Sequence, residues 1–457
     1  MIPMTLADVA GAVGAQSAPE GTVTGEVRID SRLVRPGDLF VALRGEHSDG
    51  HEFARAAVDS GAVGVLVERP TTDRDIVVPD ALVALQSLAR QVFSVEQPLT
   101  FGITGSSGKT STKDLLAQVL AAFGPTLAPV ESFNNEFGLP LTATQRTSDT
   151  SYAVLEYSAR GIGHIAFLCE IARPHVAVVL NVGSAHLGEF GTVDNIATAK
   201  GELVEAATSL VVLNADDPRV AGMAARTSHR VITFGRSPGA DYRAADVTVN
   251  EDGRARFTLQ TPHGDTRARL QVRGEHQVSN ALAVAAAVMG AGVTTDVHAV
   301  AALLHRARAV SRWRMEVTER ADGVTVVNDA YNANPDSMRA ALLTLAVMGR
   351  GGARRTWAVL GAMAELGADA AEAHAEVGRF AAGLDVSRLV VIGSAAAGIH
   401  AGAVAAGTTT QPVQVDDIDA AAALLRAELR PGDVVLVKAS RSVGLERLAA
   451  ALLEDTA

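Results

Sequence analysis

The sequence predicts an α/β protein of three domains: a small α/β N-terminal module, a central doubly wound and mostly parallel sheet, and a C-terminal Rossmann-like α/β domain. Three observations carry that expectation. From Pro98 onward, short apolar runs alternate with helical segments, the pattern of strands buried on both faces of a parallel sheet. The stretch "TFGITGSSGKTSTKDLL", Thr100 to Leu116, reads as a strand, a Gly/Ser turn and a helix start in succession. Finally, 457 residues at ~150 per domain suggest three units, and 48% apolar content is ample for packed cores.

Residues 1–98 carry short mixed segments such as "GAVGVLVERP", with Pro-Gly turns and one helix expected over residues 52–60. Residues 99–310 supply "LTFGIT", "YAVLEY", "VAVVLNV" and "LVVLN" as buried parallel strands. Between about 241 and 273 the pattern alternates and turns at Asp252-Gly253 and at His263-Gly264-Asp265, which predicts antiparallel hairpins added to that sheet. An Ala-rich helix after Asn280 closes the unit. Residues 311–457 repeat the parallel pattern with "VTVVND", "WAVLG", "LVVIG" and "VVLVKAS". No long repeat, low-complexity tract or disordered linker interrupts the chain.

Composition narrows the function. Acidic residues outnumber basic ones, 51 against 40, for a formal charge of -11, which argues against nucleic-acid or anionic-membrane partners. The N-terminus lacks the features of a signal peptide. The longest small-apolar runs, such as "ALAVAAAVMGAGV" from Ala281, fall short of the ~20 residues a membrane span needs, so the cytoplasm is the expected address. The single cysteine, Cys169, excludes an intrachain disulfide and reads as a buried structural thiol. Only four residues are lysine: Lys109, Lys113, Lys200 and Lys438. Where arginine serves everywhere else for solvation, a lysine marks a need for ammonium or amine chemistry, which singles out Lys200 and Lys438 beside Lys109.

The Gly/Ser turn falls just short of the G-x-x-x-x-G-K-[ST] spacing, which wants glycine where Ile103 stands. Its physics survives. Gly105 and Gly108 let backbone N–H groups turn toward an anion, Lys109 supplies a point charge, and Thr110 offers a hydroxyl to Mg2+ at a helix N-terminus. A nucleoside triphosphate is the expected guest. Glu156 and His186 follow predicted strands, where open α/β sheets place ligands. Taken singly, Glu156 reads equally as a capping acid and His186 as a structural histidine. Together beside a phosphate loop they read as metal ligands.

After "GITGSSGKTST" come "EYSARGIGHIAFL", "NVGSAHLGEFG", "ATAKGELVEA", "LNADDP" and "NDAYNANPDSMRAAL", in that order. This series resembles the Mur ligase family of peptidoglycan synthesis. The likeness covers nearly the whole chain, since "DSRLVRPGDLFVALRGEHSDGHEFARAA" is similar to a UDP-recognition module found in two of its branches. "DAYNANPDS" resembles the branch that adds D-alanyl-D-alanine (D-Ala-D-Ala) to UDP-N-acetylmuramoyl-tripeptide (UDP-MurNAc-tripeptide). The branch adding a single amino acid carries a DYAHTPD-like segment there and a later DNPR-type motif, absent from this sequence. Ala362 and Ala439 depart from the aspartate and glycine common in the family.

The resemblance implies ATP-dependent amide ligation through an acyl phosphate. It gives Lys109 the β/γ-phosphates, with Thr104, Gly105, Ser106, Ser107, Gly108 and Thr110 around the ATP. Thr110 and Glu156 hold a first Mg2+, while His186 and Lys200, carbamylated by CO2, serve a second metal. Asn280 contacts adenine, and Arg314 and Asp329 come in with closure of the last domain, by hinge motion near residues 98 and 311. Ser31, Arg32, Asp49, Gly50 and His51 are the uridine-nucleotide candidates. Asn134, Asn135, Ser158 and Arg160 lie along the muramoyl-peptide path, Asn135 reading equally as a turn support. Lys438 is expected near the dipeptide or at the closing interface. A monomer is expected, although the sequence leaves the oligomeric state open. The alternatives are an amino-acid-adding or folylpolyglutamate-synthase-like ligase, and a catalytically idle nucleotide-binding subunit.

Overall fold

The computed structural model describes residues 1–45, 48–129, 131–349, 354–384, 386–407 and 412–454. Leu99–Thr104, Tyr152–Glu156, Val176–Val179 and Leu210–Asn214 are interior strands of a nine-stranded sheet. Every residue of the last two is buried, because a strand covered on both faces has no solvent side for polar alternation. By first residue, the strand order is Gly264, Arg254, Tyr242, Arg230, Leu210, Val176, Leu99, Tyr152, Thr126. Pairing is parallel from the Thr126 edge to Tyr242–Val249 and antiparallel beyond it, as the expected hairpins require.

Helices Lys109–Leu120 and Gln277–Gly290 cover one face over Phe101, Ile103 and Val178. His164–Ile171 and Val193–Ala206 cover the other over Leu155, Val179 and Leu213. Leu99–Thr104 lies between Tyr152–Glu156 and Val176–Val179: the chain leaves it toward the Thr126 edge, returns to Tyr152–Glu156, and then crosses over it to Val176–Val179, so the winding reverses there. The crevice at such a switch point opens at the C-terminal ends of the strands, where the Gly/Ser loop emerges.

The N-terminal module holds four parallel strands: Val27–Arg28, Leu39–Val41, Gly64–Val67 and Asp75–Val77. Here the expectation of a single helix needs correcting. Residues 52–60 divide between a 3-10 turn, Gly50–Phe53, and a short helix, Ala54–Asp59, and two further helices, Leu6–Val13 and Ala81–Ser94, join them. Both carry side-chain N-caps that the sequence displays. Thr5 accepts from the Asp8 amide, and Asp80 accepts from those of Leu82 and Val83. Ala81–Ser94 also ties the module to the central sheet, where Gln86 Nε2 donates to the Glu136 carbonyl at 2.9 Å.

The C-terminal unit is a six-stranded sheet, ordered by first residue Glu316, Thr325, Val434, Thr356, Arg388, Val413. Only Glu316–Glu319 pairs antiparallel. Helices pack on both faces, Pro335–Gly349 and Ala370–Ala382 on one, Ile418–Glu428 and Glu446–Glu454 on the other. Among the described residues no helix is long and apolar enough to cross a membrane.

Candidate active site

The loop after Leu99–Thr104 delivers Lys109 at the first position of its helix. Gly108 caps that helix at φ 82, and a Cβ there would stand 2.7 Å from Asn280 Oδ1. Glycine is required on both counts. The first amides of the helix have no intrahelical acceptor and form a ready anion seat. Lys109 Nζ donates to the Gly105 carbonyl at 2.7 Å, and burial, opposed by Glu156, pulls its ammonium down to about 8. Thr104 and Gly105 support the loop from beneath. The Thr104 hydroxyl is spent on the Tyr157 carbonyl at 2.9 Å, and Gly105 packs against Leu180. Asn181, which the sequence reading passed over, pins the loop: its Oδ1 accepts from the Ser107 amide at 2.9 Å, and its carbonyl accepts from the Ser106 amide at 3.1 Å.

Below the helix start, Glu156 is fully buried. Its Oε2 accepts from Asn134 Nδ2 at 3.2 Å and from Thr110 Oγ1 at 3.4 Å, whereas Oε1 has no hydrogen-bond partner among the described residues. A buried carboxylate oxygen without a donor is costly unless a cation meets it. With the Thr110 hydroxyl adjacent, that orphaned oxygen fits Mg2+, a hard cation that takes one or two protein oxygens and fills its shell with phosphate and water.

Lys200 projects from Val193–Ala206 and is buried. Burial first, and then the charge of Lys109, push its ammonium well below the usual range. An amine held in that way favours its neutral, nucleophilic form. His186 takes a left-handed backbone, φ 61, and its Nδ1 lies 2.6 Å from Glu365 Oε2 of the C-terminal unit. That contact is the main reason the Glu365 carboxyl sits below its ordinary range.

The C-terminal unit is closed on the loop. Arg314 Nη2 donates to Thr110 Oγ1 at 3.2 Å, with its guanidinium 4.2 Å from the centre of the Tyr331 ring. Asp329 Oδ1 accepts from the Met315 amide at 3.0 Å, and its Oδ2 receives the Lys438 ammonium at 2.6 Å, both groups buried. Between the units lies a cavity of about 940 Å³ lined by Lys109, Thr110, His186, Asn280, Arg314 and Asp329, among others. Asn134, Asn135, Ser158 and Arg160 line it too. Asn135 also supports a turn, its Oδ1 accepting from the Gly138 amide at 3.0 Å.

Ser31, Arg32, Asp49, Gly50 and His51 do not reach this cavity. Arg32 is exposed and forks onto Asp30, with Nε at 2.9 Å and Nη2 at 2.6 Å from its two oxygens. His51 is buried and internally engaged: Nδ1 is 2.6 Å from Asp49 Oδ1, and Nε2 accepts from the Glu68 amide at 2.9 Å. Its ring holds the module together, which leaves Arg32 as the group presented outward.

Residues 103–288 match the Mur ligase middle domain, residues 313–441 the Mur ligase glutamate ligase domain, and residues 24–93 the Mur ligase family catalytic domain. The UDP-N-acetylmuramoyl-tripeptide--D-alanyl-D-alanine ligase of Mycobacterium tuberculosis is 49% identical over 100% of this chain and 98% of its own.

The chain belongs to the Mur ligase family.

Among solved Mur ligases, MurF from Acinetobacter baumannii superposes with a TM-score of 0.86 at 31% identity, covering 99% of each chain. MurF from Thermotoga maritima in complex with ADP gives 0.80 at 31% identity, covering 95% of this chain and 98% of that one. The Mur ligase fold thus explains why residues far apart in sequence share one cavity. Asn181 was findable, since it follows Val176–Val179 at the C-terminal edge of the sheet. Ser132, whose Oγ lies 2.9 Å from Thr110 Oγ1, and Glu365 sit in loops that carry no periodic signal.

Proposed function

We infer that this chain is an ATP-dependent ligase that joins D-alanyl-D-alanine to UDP-N-acetylmuramoyl-tripeptide in peptidoglycan precursor synthesis. The observation that carries the reading is the meeting of Arg314 with Thr110 over a cavity that Asn134 and Arg160 also line. A nucleotide on the loop and an acceptor along the opposite wall would face each other there.

Joining a carboxylate to an amine in water needs activation. The γ-phosphoryl group of ATP passes to the terminal carboxylate of the UDP-MurNAc-tripeptide, ADP leaves, and the amine of D-Ala-D-Ala attacks the acyl phosphate. Phosphate departs with the C–O bond, and the amine loses a proton. Lys109 and the helix-start amides seat the β- and γ-phosphates, while Arg314 faces the charge that spreads over the transferring group. Asn280, beside Gly108, is assigned to adenine. Asn134, Asn135, Ser158 and Arg160 are assigned to the muramoyl-peptide, and Ser31, Arg32, Asp49, Gly50 and His51 to the uridine end, with Arg32 as direct contact and His51 as support. Mg2+ held by Thr110 and Glu156, with a second ion at His186 and a carbamate on Lys200, neutralises phosphate and carboxylate charge when bound. Lys200 suits carbamylation because a neutral amine is what adds to CO2, forming an N–C bond and releasing a proton.

Residues 1–98, 99–310 and 311–457 divide this work as substrate-recognition, ATP-binding and closing domains. A monomer is taken as the working unit, and free nucleotide substrates support action in the cytoplasm. The test is product mass after incubation with ATP, Mg2+ and UDP-MurNAc-tripeptide. A UDP-pentapeptide formed with D-Ala-D-Ala but not with single amino acids supports the assignment. Extension of a UDP-dipeptide by a diamino acid instead would move the chain to the amino-acid-adding branch. Full activity of CO2-depleted enzyme, together with no rescue of Lys200→Ala by a short carboxylic acid, would remove the carbamate.

A further inference from the structure

The fourth lysine, Lys113, takes no part in the chemistry above, yet it is as buried as Lys438, each only 2% exposed. Its Nζ donates to the Pro129 carbonyl at 2.7 Å and to Ser311 Oγ at 3.1 Å, and lies 2.7 Å from Asp114 Oδ1. Asp114 turns its other oxygen to the connection between the central and C-terminal units. Oδ2 accepts from the Val310 amide at 3.1 Å and the Ser311 amide at 2.8 Å, and Oδ1 accepts from Ser311 Oγ at 2.9 Å. One turn further along the helix, Gln118 makes a reciprocal pair with Arg308: Nε2 donates to its carbonyl at 2.8 Å, and Oε1 accepts from its amide at 3.1 Å.

Thr110, Asp114 and Gln118 are spaced i, i+4, i+8 and therefore share one helix face. Against them run Arg314, Ser311 and Arg308, spaced by three, so the connection lies antiparallel along the helix that begins at Lys109. Downstream of Ser311 the attachments change owner. The Trp313 carbonyl accepts from the Tyr331 amide at 3.3 Å, the Trp313 ring lies under Arg441 at 4.1 Å, and the Met315 amide donates to Asp329. Trp313 and Met315 both hold left-handed backbones, at φ 57 and 52, uncommon for bulky residues and concentrated where a chain is over-determined by its surroundings. Arg312, between the two sets of anchors, is exposed.

We propose that Asp114, locked by Lys113, is a positioning residue that fixes residues 308–311 on the phosphate-loop helix in the open and closed states alike, so that domain closure turns about Arg312 and brings Arg314 to Thr110 in a set register. The helix that receives the nucleotide then also carries the hinge seat. Motion of the C-terminal unit is measured from the phosphates themselves, and a buried carboxylate bonded by two amides and a hydroxyl is rigid enough to serve. This rests on the reading of a nucleoside triphosphate at the loop, not on the identity of the acceptor.

Amide hydrogen exchange tests it on the full enzyme, with and without the non-hydrolysable analogue adenylyl imidodiphosphate and Mg2+. The Val310 and Ser311 amides, bonded to Asp114, should stay protected in both states, as should the Met315 amide that Asp329 holds within the C-terminal unit, whereas the Arg312 and Arg314 amides should gain protection only with the analogue. Equal, fast exchange at Val310, Ser311, Arg312 and Arg314 in the nucleotide-free enzyme would overturn the proposal. If the analogue protects no segment, including the loop at 105–110, it is the nucleotide reading that fails. Asp114→Asn should strip protection from Val310 and Ser311 and lower kcat at least ~10-fold, with KM for the UDP substrate held within about twofold, the split expected when orientation and not ground-state binding is lost. Unchanged exchange and kcat would refute it. Gln118→Ala, at the half-buried end of the same face, covers the case in which Asp114→Asn does not fold. It should free residue 308 and lower kcat about 2- to 5-fold, and wild-type exchange with wild-type kcat would count against the clamp.

Discussion

Arg314 reaches across the domain boundary to place Nη2 3.2 Å from Thr110 Oγ1, while its guanidinium rests 4.2 Å above the Tyr331 ring. One side chain thereby joins the phosphate loop to the closing unit, and a planar fork is the group that can both stack and donate. Arg314→Ala should lower kcat/KM by about 10²–10³, the loss typical of one electrostatic donor in a water-poor site. Arg314→Lys should recover little, because an ammonium neither stacks nor forks. Steady-state kinetics with ATP varied checks both, and near-complete rescue by lysine would reduce Arg314 to a point charge.

Lys438 and Asp329 form a buried pair at 2.6 Å, with burial pulling the ammonium down and Asp329 holding it up. Truncating one partner leaves the other charge stranded. Lys438→Met should therefore destabilise the protein by ~3–5 kcal/mol, whereas the double change Lys438→Met with Asp329→Leu should recover part of that loss. Denaturant unfolding measures each. A single variant as stable as the parent would point to a role in contacting substrate alone.

His175 Nδ1 accepts from the Thr100 amide at 3.1 Å, at the base of the strand that carries the phosphate loop. Burial lowers its folded pKa, so below the unfolded value of ~6.5 the unfolded chain binds more protons. The stabilisation is present above that pH and is lost as pH falls through it. Thermal midpoints should fall between pH 7 and pH 5, and His175→Asn, which keeps an acceptor but cannot charge, should flatten that part of the profile. An identical profile in the variant would place the acid sensitivity elsewhere.

Arg32 stands exposed and paired with Asp30, outside the lining of the cavity that holds the phosphate loop. Arg32→Ala should raise the KM for the UDP substrate about 10-fold or more while leaving the KM for ATP within about twofold, the pattern of a lost binding contact at one substrate. Equal effects on both would detach the N-terminal module from uridine recognition.

What the sequence made legible follows from where its signals come from. Val176–Val179 and Leu210–Asn214 declare themselves because strands buried on both faces are continuous apolar runs. The scarcity of lysine has a structural counterpart: Lys113, Lys200 and Lys438 are buried and Lys109 lines the cavity, although Lys113, which the composition did not single out, is as buried as Lys438. Ala81–Ser94 is hard to see in the sequence although Asp80 marks its start, because its apolar positions follow the short mixed segments of the same module without a break. The pairing of His186 with Glu365 was beyond reach. Both sit in loops on different units, and only the closed arrangement of two sheets brings them within 2.6 Å.

The central claim is that the carboxylate of the UDP substrate is activated by phosphorylation in this cavity and then captured by a dipeptide amine. Isotope transfer tests it most directly. With both oxygens of that carboxylate labelled as 18O, turnover with ATP and D-Ala-D-Ala should place one label in the released phosphate and leave one in the new amide of the UDP-pentapeptide. Amide product accompanied by unlabelled phosphate, or phosphate release with no amide, would contradict the account.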